Sequence, residues 1–139
     1  MKNNKGFTMI ELIIVVVIIG VILVFAIPNL VSTLERNKGE AMYVDAEQFI
    51  EQTKNCIVAN RRVSATKRCE YPTSGSIDYY LSEVDSKSAI KESPYGNVYN
   101  RTESKVTVKY EDGQYKYSVE LKDNDGNVCK VNYGEDKCS

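Results

Sequence analysis

Residues 7–31 form an apolar run broken by a single charge, the carboxylate of Glu11. No other feature restricts the possible folds as strongly. A helix of about 25 residues spans roughly 37 Å, enough to cross a hydrocarbon core of about 30 Å with some tilt. Lys2 and Lys5 precede the run, an arrangement that keeps the amino terminus in the cytoplasm and sends the rest of the chain outside. An ionisable group at the lip of such a span is costly and marks a functional candidate whose partner must be found. The obvious partner is a free amino group, and cleavage after Gly6 would create one on Phe7.

The chain has 139 residues, 18 Lys plus Arg and 19 Asp plus Glu, which suits one small domain behind a membrane segment. Loss of Lys2 and Lys5 with a leader, residues 1–6, moves the formal charge from −1 to −3. There is no basic tract along the chain, so nucleic acid is not expected as an obligatory partner. Histidine is absent. That removes the commonest general base and the commonest metal ligand, and weighs against an enzyme or a bound cofactor.

Four cysteines, Cys56, Cys69, Cys129 and Cys138, all follow the apolar run. An even number in a small exported domain reads as disulfides, because such a domain has a thin core and meets an oxidising environment. Three pairings are possible. The sequence-local one, Cys56–Cys69 with Cys129–Cys138, closes two short loops and is favoured, at about 3 kcal/mol per bridge in the chain-entropy account. A four-thiolate zinc site is the rival, but it lacks any C-x-x-C pair.

The amino-terminal segment admits three readings. A secretory signal would have a basic start, an apolar middle and a cleavage site at Val24-Phe25-Ala26, leaving a soluble exported binding domain that begins at Ile27. Against it, the run continues to Val31 and contains Glu11. A plain single-span anchor explains the length but neither Glu11 nor the placement of Gly6 before Phe7. The third reading rests on the motif Gly6-Phe7-Thr8-Met9-Ile10-Glu11 followed by the long apolar run. Here the chain resembles the type IV pilin family, including the pseudopilins of type II secretion and competence systems. The resemblance is specific over Lys5–Val31, moderate to about Asn60, and architectural beyond.

That resemblance implies a prepilin peptidase that cuts between Gly6 and Phe7 and methylates the new amino terminus of Phe7. It implies that Glu11 pairs with the amino terminus of Phe7 on a neighbouring copy as subunits enter a helical homo-oligomer. Physics supports the same arrangement. A lone helix leaves Glu11 against lipid, whereas packed copies bring it to an ammonium. Removing one partner of such a buried pair costs about 3–5 kcal/mol, so Glu11 sets register more than it adds stability. Family filaments have an extended stretch near Gly20–Pro28. In this chain Pro28 cannot donate to the carbonyl of Val24, and Gly20 is a weak helix former.

After Pro28 the helical pattern resumes over 32–60 and becomes amphipathic. Met42, Ala46, Phe49, Ile50, Thr53, Cys56 and Ile57 form one stripe, opposite Glu40, Glu47, Glu51 and Lys54. The stripe reads as core, and Gly39 as a bend before it. Residues 61–104 read as a connecting loop region. It holds a basic cluster at Arg61–Arg68, a loop at Pro72–Ser76, a short helix within Ile77–Ile90 capped by Ser76, and a turn at Pro94–Asn97. Residues 105–139 form a β-meander with strands Lys105–Tyr110, Tyr115–Leu121 and Val128–Tyr133, turning at Glu111–Gln114 and Asp123–Asn127. The expected fold is α+β: a long membrane-spanning helix packed at its distal half on a three-stranded antiparallel sheet, as in pilins.

Three weaker signals sit in the globular part. Asp123, Asp125 and Asn127 resemble the start of a calcium loop, but its twelfth position is Gly134 where a bidentate Glu is needed, and Asp-Gly is first a hairpin turn. Asn100-Arg101-Thr102 fits a glycosylation acceptor. The ten tyrosines suit strands and subunit contacts. The resemblance further implies that a loop closed by Cys129–Cys138 forms exposed filament surface.

The expected function is a structural subunit of a type IV pilus, serving adhesion, motility or DNA uptake, with a pseudopilin as the alternative. Its expected partners are other copies, the cytoplasmic membrane before assembly, and the processing and assembly machinery. Its expected locations are the membrane first and a surface filament afterwards.

Overall fold

A computed structural model describes residues 6–62, 69–85 and 89–139, with the side chains of 60–62 outside that description. Helix α1 covers Met9–Arg62. Then follow β1 (Ser76–Tyr80), the single turn α2 (Leu81–Val84), β2 (Lys105–Glu111), β3 (Gln114–Lys122) and β4 (Val128–Val131). The leader lysines and most of the basic cluster at Arg61–Arg68 lie outside the described residues. The chain divides into two compact units, Met1–Arg36 and Asn37–Ser139.

In the amino-terminal unit the helix runs through Gly20 and Pro28, and it continues through Gly39 at the start of the second unit. Each large apolar side chain from Phe7 to Leu34 is exposed. The described helix is long and apolar enough to cross a membrane.

In the second unit the strands pair antiparallel in the order β1-β2-β3-β4. The β2–β3 register sets Val106 opposite Val119, Val108 opposite Tyr117 and Tyr110 opposite Tyr115, so the alternating apolar residues share one face. Asp112 and Gly113 make the two-residue loop between these strands, both with positive φ (54° and 77°), the conformation that a tight right-twisting hairpin requires. Met42, Ala46, Phe49 and Ile57 of α1 join Tyr79, Val106, Val108, Val119, Leu121, Cys129 and Val131 in one buried cluster. Thr53 lies in the same stripe, fully buried, its hydroxyl donating to the carbonyl of Phe49 at 2.9 Å. The fold is α+β, with a helix packed on an antiparallel sheet.

The sheet has four strands where the sequence pattern predicts three. The extra one is β1, and it replaces most of the helix expected within Ile77–Ile90. Ser76 opens a strand instead of capping a helix, and the one helical turn begins only at Leu81. The reason is geometric. Residues two apart share a face on a strand but not on a helix. As a strand, Ile77 and Tyr79 sit opposite Val108 and Val106 and join the core. Asp78 then falls on the other face, accepting hydrogen bonds from Lys105 Nζ at 2.7 Å and Thr107 Oγ1 at 2.6 Å. Residues 86–88 of the expected helix lie outside the described residues. Strand β4 ends at Val131, two residues earlier than expected.

The structure joins Cys56 to Cys69 and Cys129 to Cys138. The first bond ties the last turns of α1 to the segment leading into β1. The second folds the carboxy terminus back along β4, where Ser139 N and Oγ both donate to the carbonyl of Lys130.

Candidate functional site

Glu11 sits in the first turn of α1. The Thr8 amide donates to Glu11 Oε2 at 3.4 Å, the Thr8 hydroxyl lies 3.5 Å from the same oxygen, and the Glu11 amide donates to Thr8 Oγ1 at 3.3 Å. This is a capping box, a Ser or Thr before the helix exchanging hydrogen bonds with a Glu three residues on. It satisfies two amides that the helix start would otherwise leave unpaired. It also stations a carboxylate at the positive end of the helix dipole. The signal Thr8-x-x-Glu11 is legible in the sequence from its spacing.

The carboxylate therefore has a role within its own chain, as a cap. Phe7, immediately before Thr8, is 84% exposed, and Gly6 is exposed too. The structure thus gathers Gly6, Phe7 and Glu11 at one accessible helix start, with Thr8 as an added member. Adjacent Cα atoms are about 3.8 Å apart, so an amino terminus created on Phe7 would lie one residue from the Thr8 amide that Glu11 already meets.

Gly20 and Pro28 lie elsewhere along the helix, within an apolar surface that nothing in the chain covers among the described residues. Polar side chains follow Pro28 closely. Asn29 Nδ2 donates to the Phe25 carbonyl at 3.3 Å, and the hydroxyls of Ser32 and Thr33 donate to the Asn29 carbonyl at 3.0 and 2.9 Å. Such local bonds compete with the helix ladder, and none of the three reaches the Val24 carbonyl that Pro28 leaves without its backbone donor.

In the globular unit, Asp123 is fully buried. It accepts from Ser93 Oγ (2.8 Å), Asn127 Nδ2 (2.8 Å), Asn97 Nδ2 (3.5 Å) and the amides of Asp125 (3.0 Å) and Asn127 (2.9 Å). Burial alone would push its carboxyl up, but the bonds from Asn127, Ser93 and Asn97 outweigh burial and hold it below the usual carboxylate range. Oδ1 holds the β3–β4 turn through the Asp125 and Asn127 amides, and Oδ2 ties that turn to the 93–97 loop, while Asp125 is exposed. Three-residue clusters of His, Cys, Asp or Glu suited to a metal ion are absent among the described residues. Asn100 Oδ1 accepts from the Thr102 amide and hydroxyl and from the Glu103 amide, so the acceptor-like tripeptide serves as a turn.

Residues 1–27 match the family model described as the prokaryotic N-terminal methylation motif. These residues carry the prepilin signal of type IV pilins and pseudopilins. The match lies over the helix start where Gly6, Phe7, Thr8 and Glu11 converge. No curated protein and no solved structure matches the chain. The prepilin signal implies processing by a prepilin peptidase and delivery to pilus-like assembly machinery. Joined to the apolar helix, it fits a membrane-anchored precursor of a type IV pilin-like protein or a pseudopilin, structural in character.

Proposed function

We propose that the chain is the structural subunit of a type IV pilus, cut between Gly6 and Phe7, methylated on Phe7, and polymerised through its apolar helix. The observation that carries this is the prepilin signal on a helix whose large apolar side chains are all exposed from Met9 to Leu34. Lipid covers that surface before assembly, and the helices of other copies cover it afterwards. The transfer exchanges one apolar surrounding for another, so it carries no large solvation penalty provided that Glu11 finds an ammonium. Glu11 exchanges its long bond to the Thr8 amide for the amino terminus of Phe7 on a neighbouring copy, a charge-assisted and stronger contact. The subunit performs no chemistry of its own. Adhesion, motility or DNA uptake would belong to the filament.

Overexpression beside a prepilin peptidase and assembly platform, followed by electron microscopy, tests the reading. Long fibres support a pilin. Short or absent fibres with normal processing support a pseudopilin piston, and an unprocessed or Ile27-starting chain contradicts both.

A further inference from the structure

We propose that the groove between α1 and the Cys129–Cys138 loop binds an extended organic cation of the linear polyamine class. The groove lies wholly within the globular unit, so the proposal stands independently of the polymer reading. Its volume is about 360 Å³, within the range of small-ligand sites. Ile50, Val119 and Val131 supply an apolar floor, and Tyr43, Tyr117 and Tyr133 bring aromatic rings to it.

The charge around the groove is lopsided. Glu47, Glu51 and Glu135 line it against Lys54, with Lys116 beside the Tyr133 ring. Two of these carboxylates are held in place: Glu47 accepts from the Tyr43 hydroxyl at 2.8 Å, and Glu135 from the amide and Nδ2 of Asn132 at 2.8 and 3.1 Å. Glu51 has no hydrogen-bond or ion-pair partner among the described residues. The ring faces are already turned to ammonium groups. Lys54 Nζ lies 5.0 Å from the Tyr117 centroid, and Lys116 Nζ 5.7 Å from that of Tyr133. Both distances fall within the range of cation–π attraction.

A metal ion needs ligands that converge, and among the described residues no three acidic or cysteine side chains do so. Carboxylates spread along a tyrosine-walled, apolar-floored groove suit charges separated by methylenes. The methylenes would lie on Ile50 and Val131, and the ammonium groups would meet carboxylates and ring faces.

The test is calorimetric titration of spermidine into the full-length protein in nonionic micelles. Saturable binding to one site is expected. Glu51→Gln and Glu135→Gln should each weaken it about fivefold to tenfold, Tyr133→Ala should weaken it similarly, and Tyr133→Phe should retain it because the ring face remains. Glu51, Glu135 and Tyr133 are exposed, so the fold should survive, as far-ultraviolet circular dichroism would show. Unsaturable heats, or equal affinity in all variants, would overturn the proposal. An inert spermidine together with altered self-association in Glu51→Gln would also overturn it, by assigning the groove to a second copy.

Discussion

From Met9 to Leu34 every large apolar side chain of α1 is exposed, whereas from Met42 to Ile57 the same helix buries Met42, Ala46, Phe49 and Ile57 to 2% exposure or less. Both stretches belong to one continuous helix. They differ in where their partners come from. The later stretch meets a sheet of its own chain, and its polar residues occupy the other face. The earlier one is apolar all round, which in a stable helix calls for lipid or other helices on every side. Stability of the globular unit is therefore intramolecular, while the amino-terminal helix finds no cover for its apolar surface among the described residues of its own chain.

The largest expected effect tests that division at its one charged point. Glu11→Val should leave membrane insertion and cleavage intact yet lower incorporation into filaments about tenfold or more, since the Phe7 ammonium of a neighbour would be stranded. The sheared-filament fraction measured against the membrane fraction reads this out. Equal incorporation would reduce Glu11 to its capping role with Thr8. Phe49→Ala should cost the globular unit about 3–5 kcal/mol in urea unfolding, because Phe49 is fully buried. Val17→Ala, in the exposed stretch, should move the same transition by no more than about 0.5 kcal/mol. Similar losses from both would erase the contrast.

Smaller effects concern the ties within the globular unit. The Cys56–Cys69 and Cys129–Cys138 bonds, 13 and 9 residues apart in sequence, should each contribute about 3 kcal/mol. Peptide mapping of the unreduced protein tests the pairing, and a Cys56–Cys129 peptide would refute it. The Asp123 carboxyl has a depressed folded pKa, so its contribution to stability is full above the unfolded value. It is lost as pH falls from about 4 through the folded value. Asp123→Asn should flatten that acid limb of the stability curve by about 1–2 kcal/mol, measured by urea midpoints between neutral and acid pH.

Local patterns made much of this molecule legible. The apolar run, the Met42–Ile57 stripe and the β2–β3 hairpin each declare themselves within a few turns or strand residues. Strand β1 did not, because Ile77-Asp78-Tyr79-Tyr80 is short and runs straight into the helical turn at Leu81. Its strand character depends on Val106 and Val108, far along the chain. The polar ties were hidden for the same reason. Tyr99 donates to Asp45 at 2.7 Å across 54 residues, Ser93 to Asp123 across 30, and Arg101 to the buried Asp85 across 16. Such pairs have no sequence period and emerge only from the completed fold. The Thr8–Glu11 box, by contrast, is local, with its spacing of three readable in the sequence.

The mass and amino-terminal residue of the mature protein test the central claim most directly. The account predicts a chain that starts at Phe7 and carries one added methyl group on its terminal amine. A chain that still begins at Met1, or one that begins at Ile27 after loss of the apolar segment, would leave Glu11 without an ammonium to meet and would contradict it.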